Sequence, residues 1–114
     1  MLELIIIVLF MGWGGVVIGD NVMMATSCVI AASNHNFGRT DIPMIQQGVT
    51  SKGIKIGNDV WLGARVVLLD GVQIGEGSII GAGSVVTTSI PPYSIAVGVP
   101  ARVIKHREHN KSEI

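Results

Sequence analysis

A repeat of six residues constrains the fold of this 114-residue chain more than any other feature. Six consecutive hexads begin with an aliphatic residue, and glycine follows that residue in four of them. The opening residues are Ile56, Leu62, Leu68, Ile74, Ile80 and Val86. The same phase occurs upstream, where hexads begin at Ile18, Met24 and Ile30. Because chance rarely keeps an aliphatic residue in register for so long, we interpret the repeat as one structural unit used many times.

A period of six fits neither the helical period nor the alternation of a long strand. A short strand followed by a glycine-assisted corner, repeated three times, closes a triangular coil. Coils then stack with Ile56 on Ile74, Leu62 on Ile80 and Leu68 on Val86. We predict that the opening residues fill a common interior and that the fifth residue of each hexad packs beside them. Such a stack is cooperative, because no single coil buries its apolar side alone.

The composition favours strands. The chain contains 16 Ile and 15 Val but only six Leu, together with 15 Gly. Branched side chains suit pleated strands and glycine disfavours helices, which excludes a helical bundle. Lys and Arg number 8, as do Asp and Glu, so the chain lacks the positive charge of a nucleic-acid-binding protein. The single cysteine, Cys28, excludes an intramolecular disulfide, and its place in the repeat predicts a packed core thiol.

The apolar stretch Leu4–Gly19 could be mistaken for a membrane or signal segment. It is 16 residues long, short of the about 20 residues that span a bilayer, and it contains four glycines. Only the acidic Glu3 precedes it as a charged residue, whereas a signal peptide begins with basic residues. We interpret the stretch as buried strands, with a membrane or processing role as the alternative. Nothing else in the sequence argues for export, and we expect a cytoplasmic protein without a membrane span.

The repeat fails between Asn36 and Gly53, where Gly, Pro, Asn and charged residues gather. We predict a loop at about residues 36–53 that is ejected from the coils, and loops of this length in compact domains are usually functional or disordered. The coiled domain is expected to cover residues 1–105, with a last partial coil after Pro91-Pro92. Residues 106–114 are expected to form a polar tail.

Several motifs of the second half resemble a known family. They are VWLG, GAGSVVT, IPPYS and GVPARVIK, all within Val16–Lys105. They resemble the hexapeptide-repeat acyltransferases, in the branch of the galactoside, maltose and polysaccharide O-acetyltransferases. The resemblance implies an all-β fold, a single-stranded left-handed parallel β-helix. The left-handed sense comes from the likeness alone, because ordinary crossovers are right-handed.

The resemblance also implies the site residues. His35, where the ejected loop begins, matches the histidine that removes a proton from a sugar hydroxyl, and imidazole titrates in the range that such a base needs. Trp61 matches the tryptophan that walls the substrate site beside that histidine. The implied cofactor is acetyl-CoA, and the positions that match its contacts are Ala64, Ala82, Thr87, Thr88, Arg102 and Lys105. Arg102 and Lys105 suit phosphate groups. Thr88 stands where many relatives carry lysine, and His106 and His109 are expected to be solvated.

The function implied by the resemblance is direct transfer of an acetyl group from acetyl-CoA to the hydroxyl of a sugar or polysaccharide precursor, with no metal. The family forms trimers with each active site between two subunits, and we expect a homotrimer whose outer faces and uncapped first coil are covered by neighbours. The segment before Val16 lacks the acceptor-binding Asn and Asp of relatives, which suggests an N-terminal truncation.

Other functions remain open at this point. The first alternative is a catalytically weak or inactive truncated solenoid that serves as a trimeric structural protein. A carbonic anhydrase built on hexapeptide repeats needs three histidines for zinc, whereas only His35 lies within the coils. An ice-binding solenoid needs ladders of threonine, and Thr87 with Thr88 is too few.

Overall fold

The computed structural model describes residues 8–11 and 15–108, and these residues form strands and one turn of 3-10 helix. The strands before the long loop are β1 (Val8–Met11), β2 (Val16–Ile18), β3 (Met23–Met24) and β4 (Cys28–Ala31). The loop contains β5 (Asn34–His35), the 3-10 turn (Met44–Gln46) and β6 (Val49–Thr50). The strands that follow are β7 (Ile54–Ile56), β8 (Trp61–Leu62), β9 (Val67–Leu69), β10 (Gln73–Ile74), β11 (Ile79–Ile80), β12 (Val85–Val86), β13 (Ser94–Gly98) and β14 (Ala101–His106).

Three sheets form the sides of the stack. The first face has the order β1-β4-β9-β12, the second face β2-β7-β10, and the third face β3-β8-β11-β13-β14. Every pair within these faces is parallel except β13 with β14. Successive strands belong to successive faces, so the chain advances by one coil for every three strands. The predicted all-β stack of parallel strands is confirmed.

The predicted register is confirmed as well. Ile56 lies opposite Ile74, Leu62 opposite Ile80 and Leu68 opposite Val86. These six side chains are at most 2% exposed. The fifth residues of the hexads are buried beside them; they are Val60, Val66, Val72, Ser78, Ser84 and Ile90. The interior therefore forms one continuous column of apolar side chains, and the buried Cys28 belongs to it as predicted.

The two buried serines of this column each have hydrogen-bond partners. The Ser78 hydroxyl donates to the Pro91 carbonyl at 2.7 Å and accepts from the Ser94 amide at 3.1 Å. The Ser84 hydroxyl accepts from the Gly98 amide at 3.0 Å. Buried polar groups are costly unless they are paired, and these pairs tie the last coil to the coil beneath it.

Glycine at the second position of a hexad permits close stacking of the corners. A Cβ on Gly63 would lie 2.6 Å from the backbone nitrogen of Ala82 in the next coil. We expect Gly63→Ala to lower the free energy of unfolding by about 1–3 kcal/mol, because the obstacle is backbone. Gly38→Ala is the matched control, since nothing lies within 4 Å of the added Cβ, and we expect a change below about 0.5 kcal/mol. Equal urea midpoints for the two variants would contradict the close approach.

The first coil differs from the prediction of buried strands in one respect. Strands β1 and β2 occur within Leu4–Gly19 as predicted, but burial is wrong for Val17 and Ile18, which are 60% and 40% exposed. Val17 lies opposite the exposed Lys55 and points outward. Ile18 lies opposite the buried Ile56 but belongs to a strand at the edge of the second face, which no described strand covers on one side. The side chains of residues 1–14 lie outside the described part. Within the described residues, no helix has the length and apolar character required to cross a membrane.

The C-terminal strands end the stack. Strand β13 continues the third face in parallel, and β14 then turns back and pairs with it in antiparallel orientation. The expected last partial coil is therefore right for β13 and wrong for β14. An antiparallel strand at this edge prevents a further parallel coil from adding to the third face. His106 is the last residue of β14, and residues 109–114 lie outside the described part.

Candidate functional site

The long loop leaves the stack where the first face meets the second. It begins after β4 on the first face, and the chain re-enters at β7 on the second face. Its two arms pair through β5 and β6, with His35 opposite Val49. His35 is exposed at this position, and in the described part of the chain its imidazole has no hydrogen-bond partner. The imidazole is therefore accessible to a molecule that approaches from solvent.

The Gln47 side chain holds the loop together through three hydrogen bonds to its backbone. Its Oε1 accepts from the Arg39 amide at 3.0 Å, and its Nε2 donates to the carbonyls of Arg39 and Ile42 at 2.8 and 3.0 Å. The Arg39 guanidinium donates through Nε to Asp41 at 2.9 Å and holds the pKa of that carboxyl below its ordinary value. An open cleft of about 380 Å³ lies against these residues, beside Asn36.

Asp70 fixes the point where the loop rejoins the stack. Its Oδ2 accepts from the Lys52 amide at 2.7 Å, and its Oδ1 accepts from the Gly53 amide at 2.8 Å. The Gly53 carbonyl in turn accepts from the Gly71 amide at 2.9 Å. A carboxylate with two amide donors is a strong attachment. The base of the loop is therefore held to the corner of the next coil.

The predicted cofactor residues fall on two corners. Ala64 and Ala82 lie where the third face meets the first, and the Gly83 amide donates to the Ala64 carbonyl at 2.8 Å. Thr87 and Thr88 are exposed at the corner from which the loop leaves, two coils further along the stack. The first face separates the two groups. The structure thus brings Thr87 and Thr88 to the same corner as the loop, and Ala64 and Ala82 to the opposite edge of that face.

A β-bulge determines the direction of the two predicted phosphate partners. Arg102 pairs with Val97 and Lys105 with Ile95, while Ile104 is an extra residue of β14. Cross-strand partners point to the same side, and Ile95 and Val97 share a side because they are two residues apart. The bulge therefore places the exposed Arg102 and Lys105 on the same outer surface of the third face, although three positions separate them.

Trp61 lies on that same outer surface. It is 47% exposed and forms a row with Ile79 and Ile95 on the third face. In a triangular coil, the corner from which the loop leaves lies opposite the third face. The fold of one chain therefore sets the base of the His35 loop and Trp61 on opposite sides of the stack.

The hexad pattern did not reveal the side chains that shape the loop. Asn36, Gln47 and Asp70 make contacts with backbone groups that lie 11, 8 and 18 positions away in sequence, and no periodic signal marks them. The Asp70-Gly71 pair, which lies at a corner within the hexad that begins at Leu68, is a sequence hint to one of these contacts. Burial raises the pKa of the Cys28 thiol, which donates to the Gly63 carbonyl at 3.2 Å. This thiol is a core group rather than a nucleophile.

No three His, Cys, Asp or Glu side chains within residues 8–11 and 15–108 are grouped so that they could hold a metal ion. The described residues instead provide three features. They are the accessible His35 imidazole on a hydrogen-bonded loop, the alanines and threonines at two corners, and the cations Arg102 and Lys105 on the third face. An imidazole can accept and return a proton near neutral pH. The set is compatible with general base chemistry on a molecule that carries negative charge at one end.

Comparison with known proteins identifies the family resemblance directly. Residues 53–88 match the family of bacterial transferase hexapeptide (six repeats). The galactoside O-acetyltransferase of Escherichia coli is 45% identical over 91 residues, which cover 79% of this chain and 43% of the relative. The predicted resemblance to hexapeptide-repeat acyltransferases is confirmed.

Two solved structures extend the similarity to the fold. Galactoside acetyltransferase in complex with coenzyme A has a TM-score of 0.73 and 44% identity, covering 80% of this chain and 44% of that chain. A hexapeptide-repeat acetyltransferase from Vibrio cholerae in complex with acetyl-CoA has a TM-score of 0.79 and 33% identity, covering 87% and 53%. Both relatives hold the predicted kind of cofactor. The chain spans less than half the length of the curated relatives that it matches.

Proposed function

We propose that this chain is an acetyl-CoA-dependent O-acetyltransferase that acts on the hydroxyl of a sugar or polysaccharide precursor. The observation that carries the proposal is the accessible His35 on a braced loop, in a stack similar to a galactoside acetyltransferase that holds coenzyme A. The coil is proposed to be left-handed, as in the family that the motifs resemble. The protein is proposed to act in the cytoplasm.

His35 is the proposed general base. Its neutral imidazole accepts the proton of the acceptor hydroxyl while the oxygen attacks the acetyl carbonyl, and the proton then passes to the departing sulfur. The acyl donor, acetyl-CoA, supplies the acetyl group as a thioester. One C–O bond forms and one C–S bond breaks, so the products are an acetyl ester and the free thiol. No metal or redox group is needed for this balance.

The residues proposed to hold acetyl-CoA fit an extended ligand with charged and uncharged parts. Ala64 and Ala82 leave a corner free of large side chains along which a pantetheine arm can bond to backbone. Thr87 and Thr88 offer hydroxyls at the other edge of the first face. Arg102 and Lys105 share an outer surface through the bulge of β14 and can meet phosphate oxygens together.

The proposed assembly is a homotrimer. The base of the His35 loop and Trp61 lie on opposite sides of one chain, so a cyclic arrangement would place the histidine of one protomer against the tryptophan of the next. Exposed apolar side chains on the loop and on the first coils support contact with another copy; they are Val17, Ile18, Met23, Phe37, Met44 and Ile45. Such side chains are costly to expose to water.

The test of the proposed function is release of free thiol from acetyl-CoA in the presence of galactosides and maltose. We expect thiol release that depends on the sugar, with an acetyl ester as the second product. The contrary result is a protein that binds coenzyme A yet releases no thiol with any sugar hydroxyl. That outcome would favour the inactive solenoid.

Arg102→Ala tests the phosphate contact. We expect the KM for acetyl-CoA to rise about 10-fold while kcat changes little, since a lost charged hydrogen bond is worth about 1.5–3 kcal/mol. Lys52→Ala is the control, because Lys52 is also an exposed cation but lies at the base of the loop, away from the third face. A KM that rises equally in both variants would indicate general electrostatic attraction in place of a specific contact.

A further inference from the structure

We propose that Asn36 is a positioning residue for His35. The inference rests on the proposed role of His35 as general base. Asn36 directly follows His35 in the sequence. Its side chain joins the outgoing arm of the loop (residues 34–36) to the returning arm (residues 47–50). It acts on the direction of the imidazole through the backbone that both residues share.

Asn36 makes three hydrogen bonds to the returning arm. Its Nδ2 donates to the Gln47 carbonyl at 3.1 Å, and its Oδ1 accepts from the Thr50 hydroxyl at 2.6 Å. Its backbone amide donates to the Gly48 carbonyl at 2.9 Å. The half-buried side chain thus bridges both ends of the segment that faces His35. No other described side chain of the loop is hydrogen-bonded to the returning arm on both sides of Val49.

The strand pairing that carries His35 needs such a bridge. Strands β5 and β6 pair over only two positions, Asn34 with Thr50 and His35 with Val49. An isolated two-stranded ladder is marginal at best, even when it is longer than this. Among the described residues nothing bonds to the exposed imidazole itself, so its direction depends on the backbone. A catalytic group displaced by 1 Å can lose about 10²-fold in rate.

The side-chain chemistry is specific for an amide. The Gln47 carbonyl requires a donor, and the Thr50 hydroxyl donates to an acceptor, so one residue must supply both groups. Aspartate keeps the acceptor but sets a second oxygen against the Gln47 carbonyl. Alanine supplies neither group. Valine at position 50 keeps the shape of threonine and removes only the donor.

The experiment compares Asn36→Ala, Thr50→Val and the double variant, with Thr40→Val as the matched control. Thr40 is exposed in the same loop, and no side-chain hydrogen bond of its hydroxyl is found among the described residues. Acetyl-CoA and the galactoside or maltose that supports turnover are the probes for kcat and for the KM of acetyl-CoA. Amide hydrogen exchange at Asn36 is measured in the free protein and does not depend on any acceptor.

We expect Asn36→Ala to lower kcat about 10- to 100-fold and Thr50→Val about 3- to 10-fold, with the KM of acetyl-CoA within about 2-fold. The double variant should be no slower than Asn36→Ala, because the two changes break the same contact. Thr50→Val should speed exchange of the Asn36 amide about 5- to 10-fold. Thr40→Val should leave the rate and the exchange unchanged.

Unchanged kcat in Asn36→Ala, or effects of the two single changes that simply multiply, would overturn the inference. Unchanged exchange of the Asn36 amide in Thr50→Val would also do so. These outcomes are separate from a failure of the proposed function, which would be seen as a His35→Ala variant with the activity of the wild type. A slow Asn36→Ala variant whose loss resides in the KM of acetyl-CoA would likewise contradict a positioning role.

Discussion

His35→Ala is expected to lower kcat for sugar acetylation by about 10²–10⁴-fold, the usual contribution of a positioned general base. The side chain is exposed at the paired base of the loop, where the imidazole can reach a hydroxyl that approaches from solvent. The KM for acetyl-CoA should stay within about 2-fold, because the proposed cofactor residues lie on the corners and on β14. Thiol release under saturating acetyl-CoA measures both quantities.

His106→Ala is the matched control for this variant. His106 is an exposed histidine at the end of β14, and its Nδ1 lies 3.3 Å from the Ser94 hydroxyl. We expect its removal to change kcat less than about 2-fold. Equal rates in the wild type and the His35→Ala variant would remove His35 from the mechanism.

Leu62→Ala is expected to lower the free energy of unfolding by about 2–5 kcal/mol, a loss comparable to a large part of the stability of a small domain. Leu62 is fully buried, and its strand lies between β3 and β11, opposite Met24 and Ile80. The removed atoms leave a cavity in the central column that the stacked backbones above and below cannot collapse to fill. Urea denaturation with the slope held constant measures the loss.

Val99→Ala is the corresponding control, because Val99 is 71% exposed in the turn between β13 and β14. We expect its free energy of unfolding to change by less than about 0.5 kcal/mol. A Leu62→Ala variant as stable as this control would contradict the claim that the opening residues of the hexads share one interior. Both variants should be compared at the same protein concentration, since association adds to the apparent stability.

Much of the fold could be predicted from the sequence because the period and the burial of the interior act together. An aliphatic residue every six positions admits one register, and Ile56, Leu62 and Leu68 take the predicted partners. Where this constraint ends, the prediction fails. Ile18 keeps the pattern but lies at an open edge, and the chain reverses at Val99 and Pro100, so that β14 no longer follows the period.

The candidate site could be predicted only in part. His35 and Trp61 could be named through the motifs around them. The side chains that hold the loop in place, Asn36, Gln47 and Asp70, could not. The hydrogen bonds of Asn36 with Gln47 and Thr50 depend on the relative position of the two arms of the loop. Neither the six-residue period nor the residue types determine that position. The shared outer surface of Arg102 and Lys105 likewise depends on the bulge at Ile104. Without the bulge, strict alternation along the strand would place the two side chains on opposite sides.

A crystal structure of the protein soaked with coenzyme A tests the central claim most directly. We expect the ligand in a crevice between two protomers, with its sulfur within hydrogen-bond reach of His35 of one copy and its arm along Ala64 and Ala82 of a neighbouring copy. Coenzyme A bound far from every His35 imidazole, or entirely within a single separate chain, would contradict the account.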